Sequence, residues 1–380
     1  MTEIQQSTEL QYVLVIFGMF IVSRYLQRFK LPSAITCLGL GVLFGIGLGI
    51  FQDEETVTVL AVLGIVAMFL FAGMEIDFSE LKRSGFIIIQ HIVVQALLIS
   101  ASTWFFELFL GLGTRPALIA SLAVMTPSTG FILDSLHGLP LAENEKFWIK
   151  SKAIATEIVA LIILFFSLQS TTPVKMFTSI GVMAAMIFFL PFLFRGFAYK
   201  ILPYAPKTEF AFLLIIALIC AAVTKKLGVY YLLGAFLVGI VQQRVRNKVP
   251  ALDSPNILHA VEFFAGFFIP FYFFKAGLEL KHDNFSVEAL KLGAILLVSV
   301  LPIRVFSVAV HRKIALGEKM TKAMRTGTAL LPTLVFTLVL ADILRERFSV
   351  KPELVGGLVV FTIINTMLPA FLLRKNGSPS

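Results

Sequence analysis

Glu157 is the one acid in the run Lys152-Ala-Ile-Ala-Thr-Glu-Ile-Val-Ala-Leu-Ile-Ile-Leu-Phe-Phe166, which is dominated by apolar residues after its first lysine. An ionisable group in such a segment is costly, and by default it faces a cavity or a partner and serves function. A single carboxylate can hold a proton in one state and a hard, oxygen-preferring cation in another, so competition for it gives exchange. Thr126, Ser128, Thr129, Thr156 and Thr333 offer hydroxyls that could complete a shell for Na⁺ or K⁺. Hydroxyls in membrane helices also bond back to their own helix or bridge to another, so each has a structural reading too. Two basic residues fall within apolar runs. Lys275 lies too deep to snorkel easily and needs a counter-charge, for which Glu157 is the obvious partner. Such a pair could couple transport to protons or merely lock two helices. If Glu157 alone titrates, one cation exchanges for one proton; if Lys275 also loses its proton, two protons move. Arg304, just after Pro302, does not titrate usefully and reads as a structural charge that satisfies broken-helix carbonyls or an acid.

The elements that carry these residues follow from composition. The 380 residues are 58% hydrophobic and only 14% charged, with mean hydropathy +0.90, whereas a soluble domain is about a quarter charged. The apolar runs are continuous and do not alternate with period two, which excludes an outer-membrane barrel and leaves an all-α polytopic membrane protein. Runs bounded by charges, Pro and Gly predict 13 transmembrane helices, at about 10–29, 33–50, 56–75, 84–110, 115–136, 147–168, 174–195, 208–225, 229–243, 259–280, 286–311, 319–344 and 353–373. With the amino-terminus outside, 21 of the 32 basic residues fall on the inner side and nine on the outer. The positive-inside rule thus places the amino-terminus outside and the carboxy-terminus in the cytoplasm of a cell-membrane protein. The net charge of +9 is explained by this orientation, and no nucleic-acid partner is expected. Cys37 and Cys220 read as small core residues. His91 and His259 read as histidines bonded within the core. No HExxH, CxxC, Walker loop or helix-opening GxGxxG is present, so neither an enzyme nor a cofactor is expected.

An internal repeat becomes visible when the halves are aligned. Ala72-Gly-Met-Glu-Ile76 closes the third run and Ala276-Gly-Leu-Glu-Leu280 closes the tenth, an offset of 204 residues. The same offset, within one residue, carries Thr126-Pro127-Ser128-Thr129 onto Leu331-Pro332-Thr333. Seven helices of separation make the copies antiparallel across the membrane. Each proline frees carbonyls at mid-span, which is tolerated only where the backbone is buried in protein or lines a watery cavity. Paired interruptions in inverted halves point to the substrate site of a secondary transporter.

Between about Leu31 and Pro369 the chain resembles the Kef-type branch of the monovalent cation:proton antiporters, family 2. The resemblance is carried by Leu31-Pro32 and the glycine-rich second run, Phe69-Leu-Phe-Ala-Gly-Met-Glu-Ile-Asp77, Pro127-Ser-Thr-Gly130, Leu232-Leu-Gly-Ala-Phe-Leu-Val-Gly239 and Phe273-Phe-Lys-Ala-Gly277. It implies the sodium/proton antiporter fold, with the fifth and twelfth helices crossing as broken helices, in a homodimer that works by alternating access. It further implies one transmembrane unit over 1–375 with a short tail, 376–380. Helices about 84–168 and 259–344 would form the mobile core, and helices about 10–75 and 174–243 the dimerisation scaffold. The family's sixth-helix Asp corresponds to Glu157, and the acid that often precedes it is Thr156 here. A cytosolic regulatory domain or subunit is common in Kef-type systems. A cation channel, a ligand-gated K⁺ efflux pathway and a carrier of another solute are the alternative functions on this scaffold.

Overall fold

The computed structural model describes residues 3–51, 54–76, 85–136, 138–170, 172–229, 231–246 and 255–373. Asp77, Lys82, Arg83, Lys248, Arg374, Lys375 and the tail 376–380 lie outside the described residues. The helices are α1 (Glu3–Leu26), α2 (Ser33–Val42), α3 (Glu55–Met74), α4 (Gly85–Leu110), α5 (Thr114–Met125), α6 (Thr129–Leu136), α7 (Glu143–Gln169), α8 (Pro173–Gly196), α9 (Glu209–Lys226), α10 (Tyr231–Val245), α11 (Pro255–Leu278), α12 (Val287–Leu316), α13 (Met320–Ala329), α14 (Leu334–Phe348) and α15 (Pro352–Leu372). Among the described residues, each of the 13 apolar runs overlaps one helix or a pair of helices. By length and apolarity, nine described helices can cross a membrane, or ten if the bent pair α13 and α14 is one span. Shorter apolar helices cover Ser33–Gly47 and Tyr231–Val245.

Local chemistry sets the helix ends. Thr126 is extended (φ −91°, ψ 121°) because the ring of Pro127 disfavours helical backbone in the residue before it, so α5 stops and α6 starts afresh. Pro332 lies in the break of the other copy, between the end of α13 at Ala329 and the start of α14 at Leu334, and these two helices meet at a 48° bend. Ser286 caps α12 by accepting from the Ala289 N–H at 3.2 Å, and Gly317 ends it in the left-handed region (φ 64°).

The helices sort into two groups by packing. α3 lies against α10 and α11, α11 also against α2, and α8, α9 and α1 pack around them. The second group joins α4 to α5, α12 to α13 and α15, and α14 to α5 and α15, with α7 touching α4, α5 and α6. This moves α11 out of the core group, where the sequence reading had put the segment 259–344. Its long face is buried against α2 and α3, which leaves it part of the other bundle.

The repeated Ala-Gly-x-Glu motif explains that packing. A Cβ on Gly73 would run into the Phe236 carbonyl oxygen and Gly239, and one on Gly277 into the Leu38 carbonyl oxygen and Gly41. Both glycines therefore let a long helix touch the short apolar helix of the opposite repeat, α3 on α10 and α11 on α2, as small residues do in membrane bundles. Large apolar side chains such as Phe17 on α1, Trp104 on α4 and Phe188 and Phe192 on α8 stay exposed, as suits a lipid-facing surface. Cys37 and Cys220 are buried and unpaired with one another.

Candidate functional site

The two breaks are joined directly. The Ser128 N–H donates to the Pro332 carbonyl at 2.8 Å, and Thr337 Oγ1 donates across to the Ala123 carbonyl at 2.7 Å. The carbonyls freed by the prolines all need donors at this depth, and the second group of helices supplies them. Gln95 Nε2 donates to the Met125 carbonyl at 2.7 Å. Arg304 donates from its two terminal nitrogens to the Leu330 and Leu331 carbonyls, each at 2.8 Å, and Asn365 Nδ2 adds a second bond to Leu331 at 2.6 Å. Arg304 is thus held by carbonyl dipoles.

Glu157 lies on α7 and is 2% exposed. Its Oε2 accepts the Thr129 N–H at 3.1 Å, the first amide of α6, so the carboxylate sits at the positive end of the half-helix that the break creates. Gly130, the next residue, packs against the Met68 side chain of α3. The acid therefore stands where the two helix groups touch.

The five candidate hydroxyl residues do not behave alike. The hydroxyl of Thr126 is buried with no hydrogen-bond partner among the described residues, and the buried hydroxyl of Thr129 belongs to the residue whose N–H holds Glu157. Thr156 Oγ1 is engaged with His91 Nε2 at 3.3 Å. Thr333 Oγ1 bonds to Thr362 Oγ1 at 2.8 Å and accepts from Asn365 at 3.3 Å. Ser128 contributes its backbone N–H to the link between the breaks. A buried carboxylate could hold a small monovalent cation, and protonation of the same carboxylate would cancel its charge.

The family model for the transmembrane sodium/hydrogen exchanger matches residues 13–375. The chain belongs to the sodium/hydrogen exchanger family. It is 24% identical over 376 residues to the probable Na(+)/H(+) antiporter 3 of Methanocaldococcus jannaschii, covering 96% of this chain and 95% of that one. It is also 24% identical over 385 residues to the Na(+)/H(+) antiporter of Enterococcus hirae, with 95% and 96% covered. The structure of the sodium proton antiporter MjNhaP1 from M. jannaschii at pH 8 superposes with a TM-score of 0.72 at 15% identity, over 97% of this chain and 96% of the other. What these likenesses show is the wider exchanger family and its all-helical fold.

Within this exchanger, the pairing of Lys275 with Glu157 is not made. Lys275 forms an ion pair with Glu279, just past the end of its own helix, and Glu279 also accepts from Arg345 at 2.9 Å. The physical reason is the packing of α11: its last turn is turned toward the start of α3 and the end of α14, in a cavity of about 810 Å³ lined by Glu54, Thr58, Lys275, Glu279 and Arg345. Glu75, the repeat counterpart of Glu279, reaches Lys150 on α7. His91 is buried, whereas His259 is exposed beside Glu262 at 3.4 Å.

Sequence reasoning missed Asn365, Gln95 and Thr337, polar residues inside apolar helices whose partners lie far along the chain. It also passed over Lys152, counted only as a basic residue at a helix end. That side chain is fully buried, with its Nζ 2.9 Å from His311 Nδ1.

Proposed function

We propose that this chain is a secondary active antiporter that exchanges Na⁺ for protons by alternating access, with Glu157 as the group for which the two compete. The observation that carries the reading is a buried carboxylate at the start of a half-helix, beside two breaks joined by a hydrogen bond. The names of the relatives support sodium, and they favour the sodium-exchanging family 1 over the Kef-type branch that the sequence motifs suggested. Thr126 and Thr129 are the hydroxyls best placed to share the ion with Glu157. Lys275 is engaged elsewhere and Arg304 keeps its charge, so one carboxylate titrates at the site and exchange is one for one and electroneutral. The basic helix ends support an amino-terminus outside and a carboxy-terminus in the cytoplasm. A homodimer through the group that contains α1 and α8 accounts for part of their exposed apolar surface.

The test is a proteoliposome assay with a trapped pH dye, in which Na⁺, K⁺ or Li⁺ is added with and without an imposed voltage. Na⁺-driven proton movement that is indifferent to voltage and lost in Glu157→Gln is the expected result. Cation flux without proton movement would turn the reading toward a channel.

A further inference from the structure

We propose that a small cavity beside the two breaks binds one water molecule, and that His91 holds this water and through it positions Glu157. The proposal rests on the antiport reading above for what the positioning achieves, though not for the water itself. The cavity measures about 20 Å³, and its walls include His91 and Gln95 of α4, Met125 and Pro127 at the first break, Thr156 of α7 and Arg304 of α12. A single water needs roughly 10–15 Å³ on this measure. One molecule fits and a second does not.

The walls call for a neutral molecule that both donates and accepts. His91 is buried, with Nε2 at 3.3 Å from Thr156 Oγ1, and its Nδ1 has no hydrogen-bond partner among the described residues. A buried ring nitrogen in that position is costly whether it carries the proton or the lone pair. Water satisfies either tautomer, because it accepts from an Nδ1–H and donates to a bare Nδ1. Arg304 commits one N–H to each of the Leu330 and Leu331 carbonyls, and its guanidinium has five, so it can also donate to a water oxygen. Among the described residues no carboxylate lines the cavity, and a cation placed there would face Arg304 without a counter-charge.

The place of the cavity gives the water its effect. Gln95 holds the Met125 carbonyl of the first break at 2.7 Å, Arg304 holds the carbonyls of the second, and Thr156 immediately precedes Glu157 on α7. A water shared among these walls ties the helix that carries the carboxylate to the break whose far side supplies the Thr129 N–H. His91 is therefore a positioning residue, acting through the water and Thr156 on how Glu157 meets the start of α6.

The test begins with an experimental density map of the detergent-solubilised full chain, at a resolution that shows ordered water. One peak is expected in the cavity, at roughly 2.7–3.2 Å from His91 Nδ1, and a cavity without density would overturn the proposal. Two substitutions then separate the ring nitrogens. His91→Asn places an amide where Nδ1 stands but is too short to reach Thr156, whereas His91→Gln reaches Thr156 and leaves the water without this partner. In His91→Phe, which keeps a ring without a polar atom, KM for Na⁺ should rise about fivefold, the weight of one hydrogen bond, with kcat little changed. His91→Asn should restore most of that affinity and keep the density peak, and His91→Gln should do neither. Rescue by Gln and not by Asn would overturn the water's part and leave the Thr156 bond alone to position the carboxylate. If wild-type vesicles show no Na⁺-driven proton movement, the antiport reading falls, and the density map still decides whether the water is bound.

Discussion

Replacing Arg304 by Met tests whether the second break is held by charge–dipole bonds. The methionine keeps most of the length of the side chain and removes both donors. The Leu330 carbonyl then loses the bond it received at 2.8 Å, while Leu331 keeps Asn365 at 2.6 Å. A buried acceptor left without a donor costs about 1–3 kcal/mol, and a hydrogen bond from a charged group contributes about 1.5–3 kcal/mol. Against this, a buried cation with no carboxylate bonded to it carries a desolvation penalty that the substitution relieves. Two bonds at 2.8 Å make the loss the larger effect, so net destabilisation of about 2–4 kcal/mol is expected. In detergent, thermal unfolding should drop by several degrees for Arg304→Met, and Arg304→Lys, which can reach one carbonyl but not hold both in a fork, should fall between. Asn365→Leu should cost more in the Arg304→Met background than in wild type, because Leu331 then loses its last side-chain donor. Additive losses, or an Arg304→Met protein as stable as wild type, would refute the assignment of Arg304 to these carbonyls.

Three further outcomes follow from the packing. Gly277→Val should destabilise by about 1–3 kcal/mol or more through collision with backbone, whereas Gly266→Ala, with nothing within 4 Å of its added Cβ, should be neutral or slightly stabilising in the same unfolding assay. Lys275→Gln should leave exchange insensitive to voltage, since the lysine pairs with Glu279; a change in electrogenicity would return it to the ion site. The pair of Glu75 and Lys150, with side chains 18% and 30% exposed, should add about 1 kcal/mol to stability, so Glu75→Gln should move the unfolding temperature only slightly. Because that pair joins the two helix groups, turnover should change by up to about fivefold, and the charge swap of both residues should restore it. A stability loss without a turnover change would make the pair purely structural.

The membrane class, the helices and both breaks were legible in the sequence because each has a local cause: a long apolar run, or a proline that halts a helix. Glu157 could be singled out as a candidate because an acid in such a run has no ordinary explanation. Lys275 was misread for an instructive reason. Its partner Glu279 stands four residues on, the spacing at which helix side chains meet, yet depth in the run argued for a distant acid. The grouping of α11 was hidden because it depends on which bundle buries its long face. The contact of Lys152 with His311 spans 159 residues, and nothing near either residue announces it. Asn365 and Gln95 were equally silent, since a lone amide in an apolar helix shows its use only when a freed carbonyl is placed beside it.

The bond from Ser128 to Pro332 binds one inverted repeat to the other at the point where each is interrupted. In the exchange proposed above, the same bonded pair of breaks serves a particle arriving from either face of the membrane. A carrier built in this way has no arrow of its own. The direction of net flow is set by the two gradients it connects, and inverting the larger of them runs the same machine backwards.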